Sequence, residues 1–423
     1  MHEIWQEGLN TMGKIVFQLG GGYCLSYAGW LAVKRIYQRL KNKKREEIIE
    51  TMSETMSSSK LFVKKEDSNK YPRLIKSDPT DYGYDLKYKL PIGMKLADFQ
   101  NKKDEIETAL ESEVKMWSEG RMLKMQVLSG EIKQEYKYTN KIIDTVKSAN
   151  LGLSVGNTRK GLYVFDVAKK QMNLIVAGYA GSGKSVTLRQ MITSIMMSYD
   201  PEYVRINLID LKGGLELGLF RDSPFVDNLS ITHEESLNLI LDINNEMEYR
   251  YNVMSKEGVT NINQIKGHFP YIITFIDEYA EITPSCLTGE EKKIAKEIES
   301  KLGKILRMSR AAGIYLVFCT QRPDAQVING QIRANIQAKI CHRVRDDINS
   351  RVVLENNKAA KLPPIPGRGI FQLQDDMEFQ AHYLSPGKAK SLLSERYKKL
   401  NPHEDNDKII DINKKIKKKG VKF

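Results

Sequence analysis

The sequence predicts an α/β protein built on a mostly parallel β-sheet, preceded by a small α+β segment. From Leu151 onward, short apolar runs alternate with stretches of helical periodicity, which is the pattern of strands joined by crossover helices. A glycine-rich phosphate-loop pattern follows one of these apolar runs. Two further runs end directly in charged or amide side chains, at the sheet edge where parallel α/β proteins bind ligands.

Composition limits the partners and the compartment. The 423 residues accommodate two domains with appendages, and the net charge of +13 favours an anionic partner, either nucleic acid or an anionic membrane face. The four cysteines are scattered without the spacing of a zinc site, which indicates a reducing compartment.

The chain opens with a candidate membrane anchor, residues 1–45. Residues 15–33 form a run of 19 residues without a charge, just long enough to span a bilayer. Seven basic residues between Lys34 and Arg45 follow it, so the positive-inside rule places the remainder of the chain in the cytoplasm. A glycine-rich helix that does not span the membrane is the alternative.

Two segments separate this anchor from the α/β region. Residues 46–70 are polar and serine-rich and are interpreted as a linker. Residues 71–150 are predicted to form a small α+β domain without catalytic signals, with a strand ending in the Pro91–Gly93 turn, a helix over Ala97–Val114 and a strand over Met122–Leu128.

The α/β region, residues 151–387, has a regular series of predicted elements. Its helices include one opened by a capping box at Thr232 and Glu235 and one with apolar residues between Ile294 and Leu306. Its strands are predicted over Asn173–Ala177, Val204–Asp210, Tyr271–Ile276 and Ile314–Cys319.

The phosphate-loop pattern is Gly178-x-x-x-x-Gly183-Lys184-Ser185. Its backbone N–H groups and the following helix N-terminus are suited to phosphate, with Lys184 on the β- and γ-phosphates and Ser185 on Mg²⁺. ATP and Mg²⁺ are therefore the expected cofactors, and a glycine turn that matches by chance is the alternative. The expected nucleotide-binding residues are Gly178, Tyr179, Ala180, Gly181, Ser182, Gly183, Lys184, Ser185 and Val186.

The strand ends supply the remaining candidates. Asp277 suits the second Mg²⁺ contact and Glu278 the base that activates water, although a solvated strand end has the same pattern. Gln321 is suited to sensing the γ-phosphate, unless it satisfies a local turn. Phosphoryl transfer often needs an arginine as well, and the sequence leaves four candidates open, with Arg351 counted among the catalytic residues: Arg310, Arg322, Arg343 and Arg351.

These residues resemble the motor domain of the FtsK/SpoIIIE family of DNA translocases, within the HerA/FtsK group of RecA-like ATPases. The resemblance covers roughly residues 150–385 and is strongest in RAAGIYLVFCTQRP followed by IRANI. It implies a RecA-like P-loop fold, with Lys184 and Ser185 as the Walker A pair, Asp277 and Glu278 as the Walker B pair and Gln321 as the sensor. It further implies a hexameric ring that threads double-stranded DNA as ATP is hydrolysed.

The arrangement departs from that of chromosome-segregating members. After Gly387 only about 36 residues follow, too few for the winged-helix module that reads oriented DNA, so sequence-directed loading is not expected. Residues 388–423 are interpreted as a basic tail that contacts phosphate or a membrane surface, or is simply solvated. The layout of anchor, small domain and motor resembles coupling proteins of Gram-positive conjugative plasmids and integrative elements.

The expected function is therefore that of a membrane-tethered DNA translocase of conjugation. Its expected partners are DNA bound through the backbone, further copies of the chain, a relaxase and channel proteins. The alternatives are a translocase of plasmid, phage or chromosome partition, a protein-secretion ATPase of the type seven kind, and a scaffold that binds ATP without turnover.

Overall fold

The computed structural model describes residues 42–64, 68–80, 82–265 and 269–400. The predicted span over residues 15–33 and the lysine-rich end of the predicted tail lie outside these ranges. No helix in the described ranges combines the length and apolarity that a membrane crossing needs. The described residues divide into two compact units. The first comprises the described residues up to Glu131 together with Arg159–Gly161, and the second comprises Ile132–Thr158 and the described residues from Leu162 onward.

The first unit contains a four-stranded antiparallel sheet in the order β3-β4-β6-β5. One face of this sheet and the helices share a core that includes Met52, Leu86, Phe99 and Ile106. The elements are α1 (residues 42–58), β1 (Val63–Lys64), β2 (Asn69–Lys70), β3 (Arg73–Thr80), β4 (Gly83–Lys89), α2 (Leu96–Gln100), α3 (Lys103–Ala109), β5 (Glu113–Glu119) and β6 (Met122–Leu128).

Two predictions for this unit were wrong. Residues 46–70 are not a linker, because α1 buries Ile48, Met52 and Met56 at a spacing of four residues, which is one face of a helix. The serine-rich composition concealed this stripe. The single helix predicted over residues 97–114 is two short helices followed by the start of β5. The two predicted strands are confirmed as β4 and β6.

The second unit is organised around a ten-stranded mixed sheet. Its order is β12-β11-β13-β14-β10-β15-β16-β17-β8-β9, and the neighbours from β12 to β15 are parallel, whereas β15 to β8 are antiparallel. The strands are β7 (Tyr136–Lys137), β8 (Gly152–Thr158), β9 (Gly161–Asp166), β10 (Leu174–Ala177), β11 (Val204–Ile209), β12 (Val226–Ser230), β13 (Tyr271–Ile276), β14 (Ile314–Thr320), β15 (Ala338–His342), β16 (Arg368–Gln372), β17 (Asp376–Gln380) and β18 (His382–Tyr383), with β7 and β18 forming a separate two-stranded sheet.

Helices cover both faces of this sheet. On β10, Leu174 and Val176 belong to one buried cluster, whereas Ile175 and Ala177 belong to another. The first cluster includes residues of α4 and α6, and the second includes residues of α7 and α8. The helices are α4 (Asn140–Lys147), α5 (Val167–Lys170), α6 (Lys184–Ser198), α7 (His233–Glu257), α8 (Gly289–Met308), α9 (Gly330–Asn335), α10 (Asp347–Leu354) and α11 (Pro386–Leu400), with single 3₁₀ turns at Gly218–Phe220, Ile262–Gln264, Tyr279–Ile282 and Pro284–Cys286. The predicted α/β fold with a mostly parallel centre is confirmed.

The predicted basic tail begins too early. Residues up to Leu400 belong to α11, which buries Ala389 and Leu393. The Arg396 guanidinium lies 2.6 Å from a carboxylate oxygen of Asp200, and the Tyr397 hydroxyl is hydrogen-bonded to that of Ser223 at 2.7 Å. The alternation of lysines with apolar residues therefore marks an amphipathic helix packed on the second unit.

Candidate functional site

The centre of the parallel sheet brings the predicted site residues to one edge. Strand β10 lies between β14 and β15, with Ala177 paired to Thr320 on one side and to Cys341 on the other. Strand β13 lies on the other side of β14. The phosphate loop, the Asp277–Glu278 pair and Gln321 therefore all leave the sheet at its carboxyl edge, as the sequence predicted.

The loop between β10 and α6 requires glycine at two positions. Gly183 has φ +103°, and a Cβ there would lie 2.2 Å from the backbone nitrogen of Gly367. A Cβ on Gly178 would lie 2.5 Å from the Ser182 hydroxyl oxygen. A hydrogen bond from Gly367 N to Ser182 O, 2.8 Å long, fixes the loop against this neighbour. Gly183 is thus required by its positive φ and by the close approach of the Gly367 backbone, and Gly178 by the close approach of the Ser182 side chain.

Two hydroxyl groups of the loop have no hydrogen-bond partner among the described residues. The Ser182 hydroxyl is buried, and the Ser185 side chain is partly exposed at the first turn of α6. A buried hydroxyl without a partner costs free energy unless a ligand satisfies it. Together with the N-terminus of a 15-residue helix, these donors suit a phosphate group with its magnesium ion. The residues of the loop therefore fit MgATP.

Lys184 and Asp277 form a buried pair behind the loop. The Lys184 ammonium donates to the Asp277 carbonyl oxygen at 2.8 Å and lies 3.4 Å from a carboxylate oxygen of the same residue. Both side chains are at most 3% exposed. Burial raises the pKa of Asp277, and the nearby Lys184 charge opposes this shift. The cation and the acid predicted to share a nucleotide are thus in contact.

Glu278 is held by three groups from neighbouring strand ends. Its carboxylate accepts hydrogen bonds from the Thr320 hydroxyl at 2.7 Å and from the backbone N–H of Gln321 at 3.0 Å. The Lys212 ammonium lies 3.3 Å from the second carboxylate oxygen. The Glu278 side chain is only 5% exposed, so these contacts fix its position. This carboxylate is oriented by the fold, as a general base requires.

Lys212 was not assigned a role from the sequence. It follows β11, whose carboxyl end lies at the same edge as that of β13. The buried Asp210 carboxylate orders its loop by accepting from the backbone N–H groups of Lys212, Glu216 and Leu217. Asp277 was predicted from its place at the carboxyl end of a parallel strand, and the sequence LIDLKGG places Lys212 at such an end as well. The sequence therefore contained the information that could have identified this lysine.

His342 was also missed. It is fully buried at the end of β15, where Nε2 lies 2.9 Å from the Thr187 hydroxyl and Nδ1 lies 3.0 Å from the Arg368 carbonyl oxygen. Burial lowers its pKa to about 4, so the ring is neutral and donates to the carbonyl through Nδ1. The ring braces the first turns of α6 from behind. No local sequence pattern marks a histidine of this kind.

The structure separates the remaining candidates. The Gln321 side chain is partly buried at the site edge and has no hydrogen-bond partner among the described residues. Arg343 directly follows β15, and its carbonyl oxygen accepts from Tyr179 N. Arg322 is exposed and lies 3.5 Å from Asp324, and Arg351 is exposed on α10. Arg310 precedes β14 and therefore lies at the opposite edge of the sheet.

A comparison with protein families agrees with this geometry. Residues 139–325 match the model of the FtsK/SpoIIIE family. This part of the chain is therefore similar to the FtsK/SpoIIIE domain. Among curated relatives, the DNA translocase FtsK of Clostridium tetani is 34% identical over 238 residues, and DNA translocase SpoIIIE of Bacillus subtilis is 31% identical over 259 residues; each match covers 54% of this chain. The chain spans about 30% of the length of these relatives.

A solved structure resembles more of the chain than the second unit alone. The pCW3 conjugation coupling protein TcpA, in a monomer form with ATPγS, is 25% identical with a TM-score of 0.57. This match covers 84% of the present chain and 99% of TcpA, which is more of the chain than the FtsK/SpoIIIE domain alone. The RecA-like ATPase fold implied by the motifs is thereby confirmed.

Proposed function

We propose that this protein is an ATP-hydrolysing DNA translocase that serves as a coupling protein of conjugation. The likeness to TcpA carries the proposal, because it covers 84% of the chain and therefore extends into the first unit, most of which lies outside the FtsK/SpoIIIE match. The curated relatives are DNA translocases, which supports DNA as the substrate.

The nucleotide would be held by the loop from Gly178 to Val186, with Lys184 on the phosphates and Ser185 and Asp277 on Mg²⁺. Bound MgATP supplies the phosphoryl group that is transferred and the divalent charge that stabilises its departure. Glu278 orients a water molecule and accepts its proton, for which its contacts with Thr320 and Lys212 keep the carboxylate in place.

Gln321 and an arginine complete the proposed reaction site. The Gln321 amide, next to Glu278, senses the γ-phosphate and transmits its presence to the neighbouring loops. The arginine is supplied in trans within a hexameric ring, and Arg351 remains its proposed source because it is exposed on α10. DNA is bound through its backbone, so affinity falls steeply with salt. The further proposed partners are a membrane, which residues 15–33 would span as a tether, a relaxase and channel proteins.

The decisive experiment is the ATPase rate of the full chain with and without double-stranded DNA, across a series of salt concentrations. We expect strong stimulation by DNA that fades as salt rises. A rate indifferent to DNA at every salt concentration would refute the translocase and favour protein secretion.

The tether has a separate test. The full chain should sediment with membranes, and a variant lacking residues 1–41 should not. A full chain found entirely in the supernatant would remove the tether and leave the motor proposal unchanged.

A further inference from the structure

One row of side chains crosses the outer face of the four-stranded sheet in the first unit. The register places Lys76 opposite Lys87, Lys87 opposite Lys124, and Lys124 opposite Trp117. Directly paired residues point to the same face of a sheet, and the next residue, Leu86, is buried in the core on the other face. The row Lys76–Lys87–Lys124–Trp117 therefore lies on the outer face.

The adjacent row adds further positive charge. Arg73 pairs with Lys89, and the same row continues through Met122 to Glu119. Residues two positions apart along a strand, such as Lys87 and Lys89 on β4, are about 7 Å apart, so the two rows form one surface, with a β-bulge between Arg73 and Lys76 on β3. Together they carry five cations and one acid. The row on the other side begins with Asp78 and Asp85, which limits the basic surface to the end of the sheet around Trp117.

Electrostatic repulsion between neighbouring lysines destabilises this surface. Like charges directly opposite each other destabilise a sheet, and the row contains two such pairs, Lys76 with Lys87 and Lys87 with Lys124. Ion pairs with Asp78 and Glu119 relieve the outer two lysines. Lys87, between them, has no ion-pair partner among the described residues. An anion bound to this face would relieve the repulsion that remains.

Trp117 gives the surface a second property. Trp117 lies at the end of the row of lysines, on the edge strand β5, and the residue is 39% exposed. An indole in contact with water offers an aromatic face on which a nucleobase stacks. A row of cations leading to such a ring matches a chain of phosphates that carries unpaired bases.

We propose that the outer face formed by these two rows binds single-stranded DNA, with the lysines on successive phosphates and Trp117 stacked on a base. A duplex presents the same phosphates but keeps its bases stacked on one another, so Trp117 would distinguish the two forms. The site lies on the first unit and requires neither the nucleotide loop nor ATP hydrolysis.

The test is the affinity of the full chain, without nucleotide, for a fluorescent oligothymidine and for a duplex of equal length, measured by anisotropy across a salt series. Loss of one stacked base in Trp117→Ala should weaken single-strand binding about 5- to 140-fold and leave duplex binding unchanged. Lys87→Ala should reduce the slope of log affinity against log salt by about 0.7 for the single strand.

Two variants serve as matched controls. Trp117→Phe keeps an aromatic ring and should retain most of the affinity. Lys103→Ala removes one half-exposed lysine of the same unit from α3, which packs on the opposite face, and should bind as the unchanged chain does. If Trp117→Ala fails to fold, Lys87→Glu replaces it. This variant should lose more single-strand affinity than Lys87→Ala, because an attraction to phosphate becomes a repulsion.

Two outcomes would overturn the proposal. Unchanged single-strand affinity in both Trp117→Ala and Lys87→Ala would remove the site. An equal loss for single strand and duplex in Trp117→Ala would reduce the face to a general polyanion surface. Neither outcome bears on the proposed motor, because duplex DNA should still stimulate the ATPase activity of Trp117→Ala. Conversely, if duplex DNA does not stimulate the ATPase activity of the unchanged chain, only the proposed translocase is refuted.

Discussion

The two sheets of this protein leave different surfaces accessible, and their candidate sites follow that difference. The parallel strands of the second unit are buried on both faces by helices, so ligands reach only the strand ends. The antiparallel sheet of the first unit is covered on one face, so alternate side chains of its strands meet solvent. Covering helices thus decide whether functional side chains lie at the ends of strands or along them.

The largest expected effect tests the strand-end site. Lys184→Ala should lower the ATPase rate at least about 100-fold, because it removes the cation proposed to bind the phosphates and leaves the buried Asp277 carboxylate unpaired. Steady-state hydrolysis with saturating DNA measures it. Lys170→Ala, an exposed lysine just before β10 at the opposite edge, is the control and should be unaffected. An unchanged rate in Lys184→Ala would dismiss the site.

Glu278→Gln should lower the rate about 100-fold or more while ATP still binds. The carboxamide oxygen keeps the hydrogen bonds from the Thr320 hydroxyl and from the backbone N–H of Gln321, but it no longer accepts a proton. Single-turnover hydrolysis, together with nucleotide binding at equilibrium, separates the two properties. Normal hydrolysis in this variant would show that another group is the base.

Glycine substitutions compare the two units directly. Gly183→Ala forces a Cβ to within 2.2 Å of the Gly367 nitrogen at φ +103°, so we expect loss of nucleotide binding and a destabilisation of several kcal/mol. Gly120→Ala, in the β5–β6 turn, has φ +57° and open space around it, and should cost only about 1–2 kcal/mol. Urea unfolding and nucleotide titration measure both. Equal effects would contradict the close approach of the loop to Gly367.

Acid should destabilise the second unit selectively. The pKa of His342 is lowered to about 4 by burial, whereas an unfolded histidine titrates near 6.5. Between these values the unfolded chain binds the additional proton, so stability present above pH 6.5 is lost as pH falls to 4, by roughly 3 kcal/mol.

The pKa of His382 is lowered in the same way, and the first unit from residue 42 to 131 contains no histidine. His342→Gln should reduce the loss of stability at acid pH but leave the part of that loss that His382 contributes. Proteolysis in urea at pH 7 and at lower pH, with fragments assigned to each unit, measures it. An acid response confined to the first unit would contradict this reasoning.

The smallest effect concerns Lys212. Its ion pair with Glu278 is 37% exposed on the lysine side, so Lys212→Ala should lower kcat by at most about fivefold with little change in the KM for ATP. Lys212→Arg should restore most of the rate. A large rise in KM instead would place Lys212 on the nucleotide rather than on Glu278.

Local patterns were sufficient for most of the second unit. The strands before the phosphate loop and before Asp277 were readable because buried parallel strands are continuous apolar runs. Local sequence patterns were less informative in the first unit. Its first helix was hidden by serine-rich composition, and the helix over residues 97–114 was predicted where the chain turns twice.

The sequence by itself determined the phosphate loop, the acids that follow β13 and their common edge, because each depends on residues close together in the chain. Only the tertiary structure decided that Lys212 contacts Glu278, 66 residues away, and that His342 supports Thr187, 155 residues away. It also decided that three lysines and Trp117 form one row. Such contacts depend on strand order and register, which the packing of the whole core selects and no short segment encodes.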